Sequence, residues 1–319
     1  MSRYLLRRLL ISIPVLAGIS LILFTILAMA PGDPFEELAT NPNVPAEVRM
    51  NLRAKFGLDD PIAIRYVRWF GSMMRGDWGF SFTSRVNVDT LILQRLPTTL
   101  IVLGSAQLLA VLVALPIGTL SAVRPYSIFD QIATTLAFIG FSLPTFFTGL
   151  LFILFFSIYL DWLPFIYQAD ISATGWRFYW EHARQAFMPV AVLGLFQGAA
   201  LTRFVRSAVL DVIRLDYINT ARAKGLSEHV TIAKHAVRNA LIPVVTLMAL
   251  QIPGIFTGAV ITEQIFRVPG IGSLLISAIL ANDTPVIMAI TFVFSCLVVT
   301  FNLVADLLYG WLDPRISYR

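Results

Sequence analysis

The sequence predicts an all-α integral membrane protein with about six transmembrane helices, and three observations carry that expectation. Hydrophobic residues make up 57% of the 319-residue chain and charged residues only 13%, where a soluble domain carries about 25% charged residues. Six apolar stretches contain no Asp, Glu, Lys, Arg or His, and about 20 apolar residues suffice for one span. Basic residues are concentrated in the short segments on one side of those stretches, as membrane topology requires.

The stretches follow in order. Leu9–Ala30 comes after Arg3, Arg7 and Arg8. Those arginines, the apolar run and Ala28-Met29-Ala30 also resemble a secretory signal. The run exceeds the 7–15 residues of such a signal, and Pro31 follows the cleavage position, so a retained first helix is predicted. Thr98–Val123 is the second span. The third, Gln131–Leu160, contains Gly140 and Pro144; either half is too short to cross, which predicts one kinked or tilted helix. The fourth, Phe187–Thr202, extends to about Val209, with Arg203 and Arg206 expected to snorkel to the headgroups from its inner end. Asn239–Thr262 and Pro285–Ala305 complete the set. Ile271–Ala281 is too short to span and reads as a re-entrant or interfacial helix.

Orientation follows from the Lys and Arg residues near the span ends. With the N-terminus inside, the inner segments hold 13 of the 24 basic residues and six of the 19 acidic ones. The outer segments are longer and hold the other 11 basic and 13 acidic residues, so basic density is highest inside. Both termini are therefore expected in the cytoplasm. The net charge of +5 is explained by this asymmetry, and no basic cluster with interleaved aromatics points to nucleic acid.

Three regions are expected: residues 1–30 as the cytoplasmic end and first helix, 31–97 as an outer segment, and 98–319 as a core with an inner loop at 207–238. Helix-like stretches occur at Pro45–Phe56 and Pro61–Met74 in the outer segment. Trp162, Trp176, Tyr179 and Trp180 read as an aromatic interface belt rather than a ligand-stacking surface.

The inner loop carries the most information. Asp216 is placed to cap a short helix through Tyr217, Ile218, Ala221 and Lys224, and Gly225 can end it in the left-handed conformation. Ser227 can cap a second helix, Glu228–Val237, in which Val230, Ala233 and Val237 share one face and Lys234 and Arg238 another. The residues themselves fit a compact docking knuckle and a charged loop lying on the membrane equally well.

Several function classes are excluded or disfavoured. The spans hold no titratable carboxylate, lysine or histidine for a proton cycle. The chain has no Gly-x4-Gly-Lys-Ser/Thr loop to cradle ATP phosphates. If transport is active, another polypeptide supplies the energy; a passive channel also fits. No zinc motif, nucleophile elbow or metal-ligand cluster occurs, so no catalytic residue, metal or bound cofactor is expected. Cys296 stands alone and cannot form an internal disulfide. Gln107, Gln197, Gln251 and Asn302 are the polar groups within the spans that could hydrogen-bond a substrate or a neighbouring helix, and Glu263 is a candidate gate or helix-end residue. Gly194/Gly198 and Gly254/Gly258 form Gly-x3-Gly pairs that favour close helix packing.

Specific motifs carry a resemblance over essentially the full length. Arg3-Tyr4-Leu5-Leu6-Arg7-Arg8 and Pro31-Gly32-Asp33-Pro34 open the chain. Phe56-Gly57-Leu58-Asp59 and Gly76-Asp77-Trp78-Gly79-Phe80-Ser81 follow in the outer segment. The knuckle reads Asp216-Tyr217-Ile218-Asn219-Thr220-Ala221-Arg222-Ala223-Lys224-Gly225-Leu226, then His235-Ala236-Val237-Arg238-Asn239-Ala240. Thr262-Glu263-Gln264-Ile265-Phe266, Pro269-Gly270-Ile271-Gly272 and Asp313-Pro314-Arg315 close it. In that order they resemble the first permease subunit of the dipeptide/oligopeptide/nickel branch of ABC importers. The resemblance implies the type I ABC importer permease fold in a bacterial inner membrane. It implies a homologous second permease, two ATP-binding subunits that use ATP and Mg, an extracytoplasmic substrate-binding protein and surrounding lipid as partners. It also implies that the knuckle is a coupling helix docking on an ATPase, through Ala221, Gly225, Leu226, His235 and Arg238. The family's Glu-Ala-Ala triplet falls on Asn219, Thr220 and Ala221, Gly225 matches its glycine, and Arg238 stands where many relatives have proline. Peptides are the expected cargo; a nickel or sugar transporter of the same family, a stand-alone channel and a structural membrane subunit are the alternatives.

Overall fold

A computed structural model describes residues 2–29, 60–81, 83–168 and 174–312. The motifs at Pro31–Pro34, Phe56–Asp59 and Asp313–Arg315 and the helix-like stretch Pro45–Phe56 lie outside the described residues. Among those described there is no strand, only an isolated bridge between Phe80 and Asn87. The helices are α1 (Ser2–Met29), α2 (Ile62–Met74), α3 (Val88–Val123), α4 (Ile128–Ser142), α5 (Thr145–Phe152), α6 (Trp176–Ile213), α7 (Asp216–Ala223), α8 (Arg238–Ile265), α9 (Ile271–Leu280) and α10 (Thr284–Leu312).

All six predicted stretches fall on helices. Among the described residues α1, α3, α6 and α10 are long and apolar enough to cross a bilayer, and the bent pair α4–α5 makes a fifth. The fifth predicted stretch lies on the 28-residue α8, which has no charged residue between Asn239 and Thr262. Two expectations need correction. The third span is broken rather than kinked: α4 and the segment Thr145–Tyr159 meet at 103°. Leu143, ahead of Pro144, takes φ −82°, ψ 130°, the extended geometry that the proline ring imposes on its neighbour. The fourth span runs over 38 residues from Trp176, so the outer aromatics Trp176, Tyr179 and Trp180 ride exposed on its first turns.

The chain divides into two compact units. The larger comprises Thr98–Ser273 and Thr300–Arg319. Its central helix is α6: 61% of its apolar window is buried, against 11% for α1. The core on its C-terminal half gathers Ala114, Leu201, Val205, Val209, Ala240 and Val244. Small residues set the spacing. A Cβ on Gly194 would stand 2.8 Å from the Leu109 side chain and 3.0 Å from the Ala106 carbonyl, and one on Gly118 2.8 Å from the Thr202 carbonyl. The Gly194/Gly198 pair thus seats α6 against α3 within the chain. Gly254 has no atom within 4 Å of its would-be Cβ, so the second pair brings no such approach.

The smaller unit comprises Ser2–Pro97 and Leu274–Val299. In it α1 packs on α2 through Phe24, Tyr66 and Trp69, and the Tyr66 hydroxyl lies 2.9 Å from buried Ser20 Oγ. The Gly76–Ser81 motif is a tight turn. Gly76 and Gly79 adopt φ +87° and +93°, Gly79 N–H donates to Asp77 Oδ1, and Ser81 Oγ donates to buried Asp283 Oδ2 at 2.6 Å. Only glycine takes those backbone angles without strain.

Candidate functional site

The knuckle forms where α6 ends and α8 begins. Asp216 is the first residue of α7 rather than its cap: the N-cap is Leu215 and no side chain caps the turn. Its carboxylate still sits favourably at the positive end of the helix. Gly225 ends α7 at φ +78°, with its N–H donating to the Arg222 carbonyl at 2.9 Å. Arg222 then reaches across the glycine to Glu228, donating from Nη2 at 2.7 Å and Nε at 3.1 Å. This guanidinium holds the Glu228 carboxyl below the usual carboxylate range. Opposite charges flanking a glycine break were the available signal for this clasp, which the sequence reading missed.

Beyond Ser227 the expected second helix is one α-turn, Glu228–Val230, followed by π-helical turns at Thr231–Val237 that continue without a break into α8. Ser227 occupies the N-cap position but makes no side-chain cap bond. The wider register moves the buried face. Thr231, Ala236 and Ala240 are buried, while Val230 and Ala233 of the expected apolar face are exposed. In π geometry residue i bonds i+5, so a face read at α-helical spacing lands elsewhere.

Of the expected docking residues, Gly225, Leu226 and Arg238 lie exposed and His235 is half-buried. The His235 carbonyl accepts from Asn239 Nδ2 at 2.7 Å, and the same amide donates to the Tyr217 hydroxyl at 3.0 Å, tying α7 to the start of α8. Ala221 is only 7% exposed, and with fully buried Ile218 it holds α7 in place. It therefore cannot offer its side chain to a partner. Leu215, Tyr217, Leu226 and Val230, close in sequence to the charged clasp, are 40–47% exposed.

At the other end of α8, Glu263 is 1% exposed. Thr99 Oγ1 donates to its Oε1 at 2.6 Å, Ser273 N–H to its Oε2 at 3.0 Å, and Ile271 N–H to Thr99 Oγ1 at 2.9 Å. A Cβ on Gly270 would overlap the carboxylate, and one on Gly272 would press on Val260. The Pro269-Gly270-Ile271-Gly272 motif is thus the wrapping of a buried carboxylate that caps the N-terminus of α9 and joins it to α3 and α8. This geometry fits the helix-end alternative for Glu263.

The polar span residues do not converge. Gln107 borders an apolar cavity of about 470 Å³ with Leu103, Met248, Phe256 and Phe301. Gln197 is 7% exposed, and its two amide atoms have no hydrogen-bond partner. Gln251 is half-buried and Asn302 exposed. The inner arginines differ from expectation too. Arg206 does not snorkel; it donates to both oxygens of Asp130 at 2.6 and 2.7 Å. Arg203 lies over the Phe138 ring, 4.1 Å from its centroid.

Comparison with known proteins identifies this arrangement. Residues 114–318 match the family described as binding-protein-dependent transport system inner membrane component, and residues 1–103 match its N-terminal companion. The chain belongs to this permease family. The permease is 42% identical over 320 residues, covering 100% of both chains, to the oligopeptide transport system permease protein AppB of Bacillus subtilis. It is 35% identical over 338 residues, again covering 100% of both, to the dipeptide transport system permease protein DppB of Escherichia coli. Its fold matches a chain of a crystal structure of an amino acid ABC transporter with histidines at TM-score 0.52. That match has 14% identity and covers 70% of this chain and 94% of the other. The permease is therefore a multi-pass membrane subunit with the type I importer fold, as the motifs implied. Among the described residues no group of side chains is arranged to hold a metal ion.

Proposed function

We propose that the chain is one of two permease subunits of an ATP-driven importer that carries peptides across the bacterial inner membrane. Full-length similarity to relatives named as oligopeptide and dipeptide permeases is the observation that carries this reading. The knuckle supports it physically. A charged clasp with exposed Leu215, Tyr217, Leu226 and Val230 close to it in sequence suits insertion into a groove on a second protein, an ATP-binding subunit on the cytoplasmic side. Gly225, Leu226, His235 and Arg238 would stand in that contact, with Ala221 supporting it from beneath. ATP and Mg would be used by the two ATPases, and an outer binding protein would deliver cargo. Both termini would lie in the cytoplasm.

In this mechanism ATP binding brings the two ATPases together and each knuckle is displaced as a rigid body. Because the segment from Glu228 runs helically into α8, the displacement passes directly into the span. The test is cysteine crosslinking at Ser227 in a Cys296→Ser background, in membranes containing the native neighbours. An ATPase joined there, together with ATP-dependent uptake of a labelled dipeptide by the purified complex in liposomes, is the expected result. An intact complex that imports no peptide would overturn the cargo, and absence of any ATPase crosslink would overturn the docking.

A further inference from the structure

Arg203 lies on α6 ten residues before its end at Ile213, so its Cα stands about 15 Å inside the helix terminus. Arg206, one turn nearer the knuckle, is fully engaged by Asp130. That carboxylate also accepts from Tyr126 N–H at 2.8 Å and from Thr134 Oγ1 at 3.3 Å, so both its oxygens are occupied. Arg203 lies over a different residue of α4. The ring it covers, Phe138, lies eight residues beyond Asp130 on α4, about 12 Å further along that helix. Arg203 borders a cavity of about 450 Å³ with Thr134, Phe138, Ser207, Leu247 and the Asp130-bound Arg206. That volume falls within the roughly 300–1,000 Å³ typical of small-molecule sites. No ion pair to Arg203 occurs among the described residues, whereas Arg206, Arg222 and Arg68 each have one.

We infer that this cavity is a cargo subsite in the knuckle-side half of the path, where Arg203 takes a peptide carboxylate, either the C-terminus or an acidic side chain. The inference rests on the peptide-permease reading above. A charged side chain within a membrane bundle faces a cavity and marks a substrate path when nothing in the protein neutralises it. A guanidinium over an aromatic ring still offers N–H groups, and its planar fork matches a carboxylate. Ser207 supplies a hydroxyl on the same wall, while Thr134 Oγ1 already donates to Asp130. A passing anion is held there by one charge, enough to orient it without trapping it.

The test uses the complete transporter in liposomes with ATP. Uptake of a dipeptide is compared with uptake of its C-terminal amide, each rate corrected for the occupancy of the binding protein measured separately. Arg203→Gln should lower free-acid uptake roughly tenfold while changing amide uptake by less than about twofold, the scale of one lost charge-assisted contact. Ser207→Asp, at an exposed position one turn along α6, places a competing carboxylate beside the arginine and should reproduce the selective loss even if Arg203→Gln fails to assemble. Equal loss for both cargoes, or an unchanged acid-to-amide ratio in both variants, would overturn the proposal. A loss that tracks the anionic lipid content of the liposomes for both cargoes would also overturn it and assign the arginine to headgroup phosphates. A wild-type complex that moves neither cargo would instead refute the peptide reading, and this subsite with it.

Discussion

At Gly225 the backbone turns with φ +78°, and nothing lies within 4 Å of the position a Cβ would take. Substitution there is opposed by backbone geometry rather than by crowding. Gly225→Val should cost about 1–2 kcal/mol in the knuckle and uncouple ATP hydrolysis from uptake, while Gly225→Asn, which tolerates the left-handed region, should retain most uptake; parallel hydrolysis and uptake rates check both. The clasp beside it titrates. Because Arg222 depresses the Glu228 carboxyl below its ordinary 4.5, the pair's contribution is complete above pH 4.5 and is lost as pH falls through the lower folded value. Hydrogen exchange of knuckle amides should therefore quicken in acid below pH 4.5 for the wild type, beyond the intrinsic pH effect, and Glu228→Gln should show the faster exchange already at neutral pH. Glu263 is the most consequential buried group. Glu263→Ala strands Thr99 Oγ1 and the Ser273 N–H, which should cost about 1–3 kcal/mol per abandoned group. A thermal melt of the detergent-purified protein reads that loss.

Among the elements, the seat between α3 and α6 is set by absence of side chain. Gly194→Leu should destabilise by about 1–3 kcal/mol through overpacking against Leu109 and Ala106. Gly254→Leu, in open space, should leave the same melt within about 0.5 kcal/mol of wild type. A Gly-x3-Gly spacing read from sequence did not distinguish the two, because the partner surface comes from a helix far away in the chain. The spans themselves were legible, since runs such as Leu9–Met29 and Pro285–Ala305 exclude charge, and burial in lipid needs nothing more. The break at Leu143–Pro144 was visible as a proline but not as a 103° bend. The π register of Thr231–Val237 was not visible at all, because its composition is that of an ordinary helix; of the predicted apolar face Val237 packs against the core, while Val230 and Ala233 are exposed. Motifs of the candidate site were legible as motifs and opaque as chemistry. Pro269-Gly270-Ile271-Gly272 needed the fold to show that its glycines make room for Glu263, which precedes them in the chain.

Across the whole molecule, the knuckle, α8 and buried Glu263 lie on one uninterrupted path. From Glu228 to Ile265 every residue is helical, so the clasp and the buried carboxylate cap opposite ends of a single rod roughly 55 Å long. Pro243 and Pro253 each remove a backbone hydrogen bond from that rod, yet the helix is continuous, so a displacement at one end can be passed to the other. Loosening the far end with Glu263→Ala should therefore change the basal ATPase rate of the assembled complex, although no part of that residue touches an ATPase; an unaltered rate in a well-folded complex would show that the rod bends. Linkage then makes the traffic two-way. In the proposed complex, whatever favours one position of the rod at the outer face, an arriving binding protein included, would tighten or weaken the knuckle's hold on an ATPase by the same factor that the ATPase, once clamped, alters the hold on that visitor. In that proposed complex the chain would act as a balance beam, with cargo outside and nucleotide inside weighed in the same tilt.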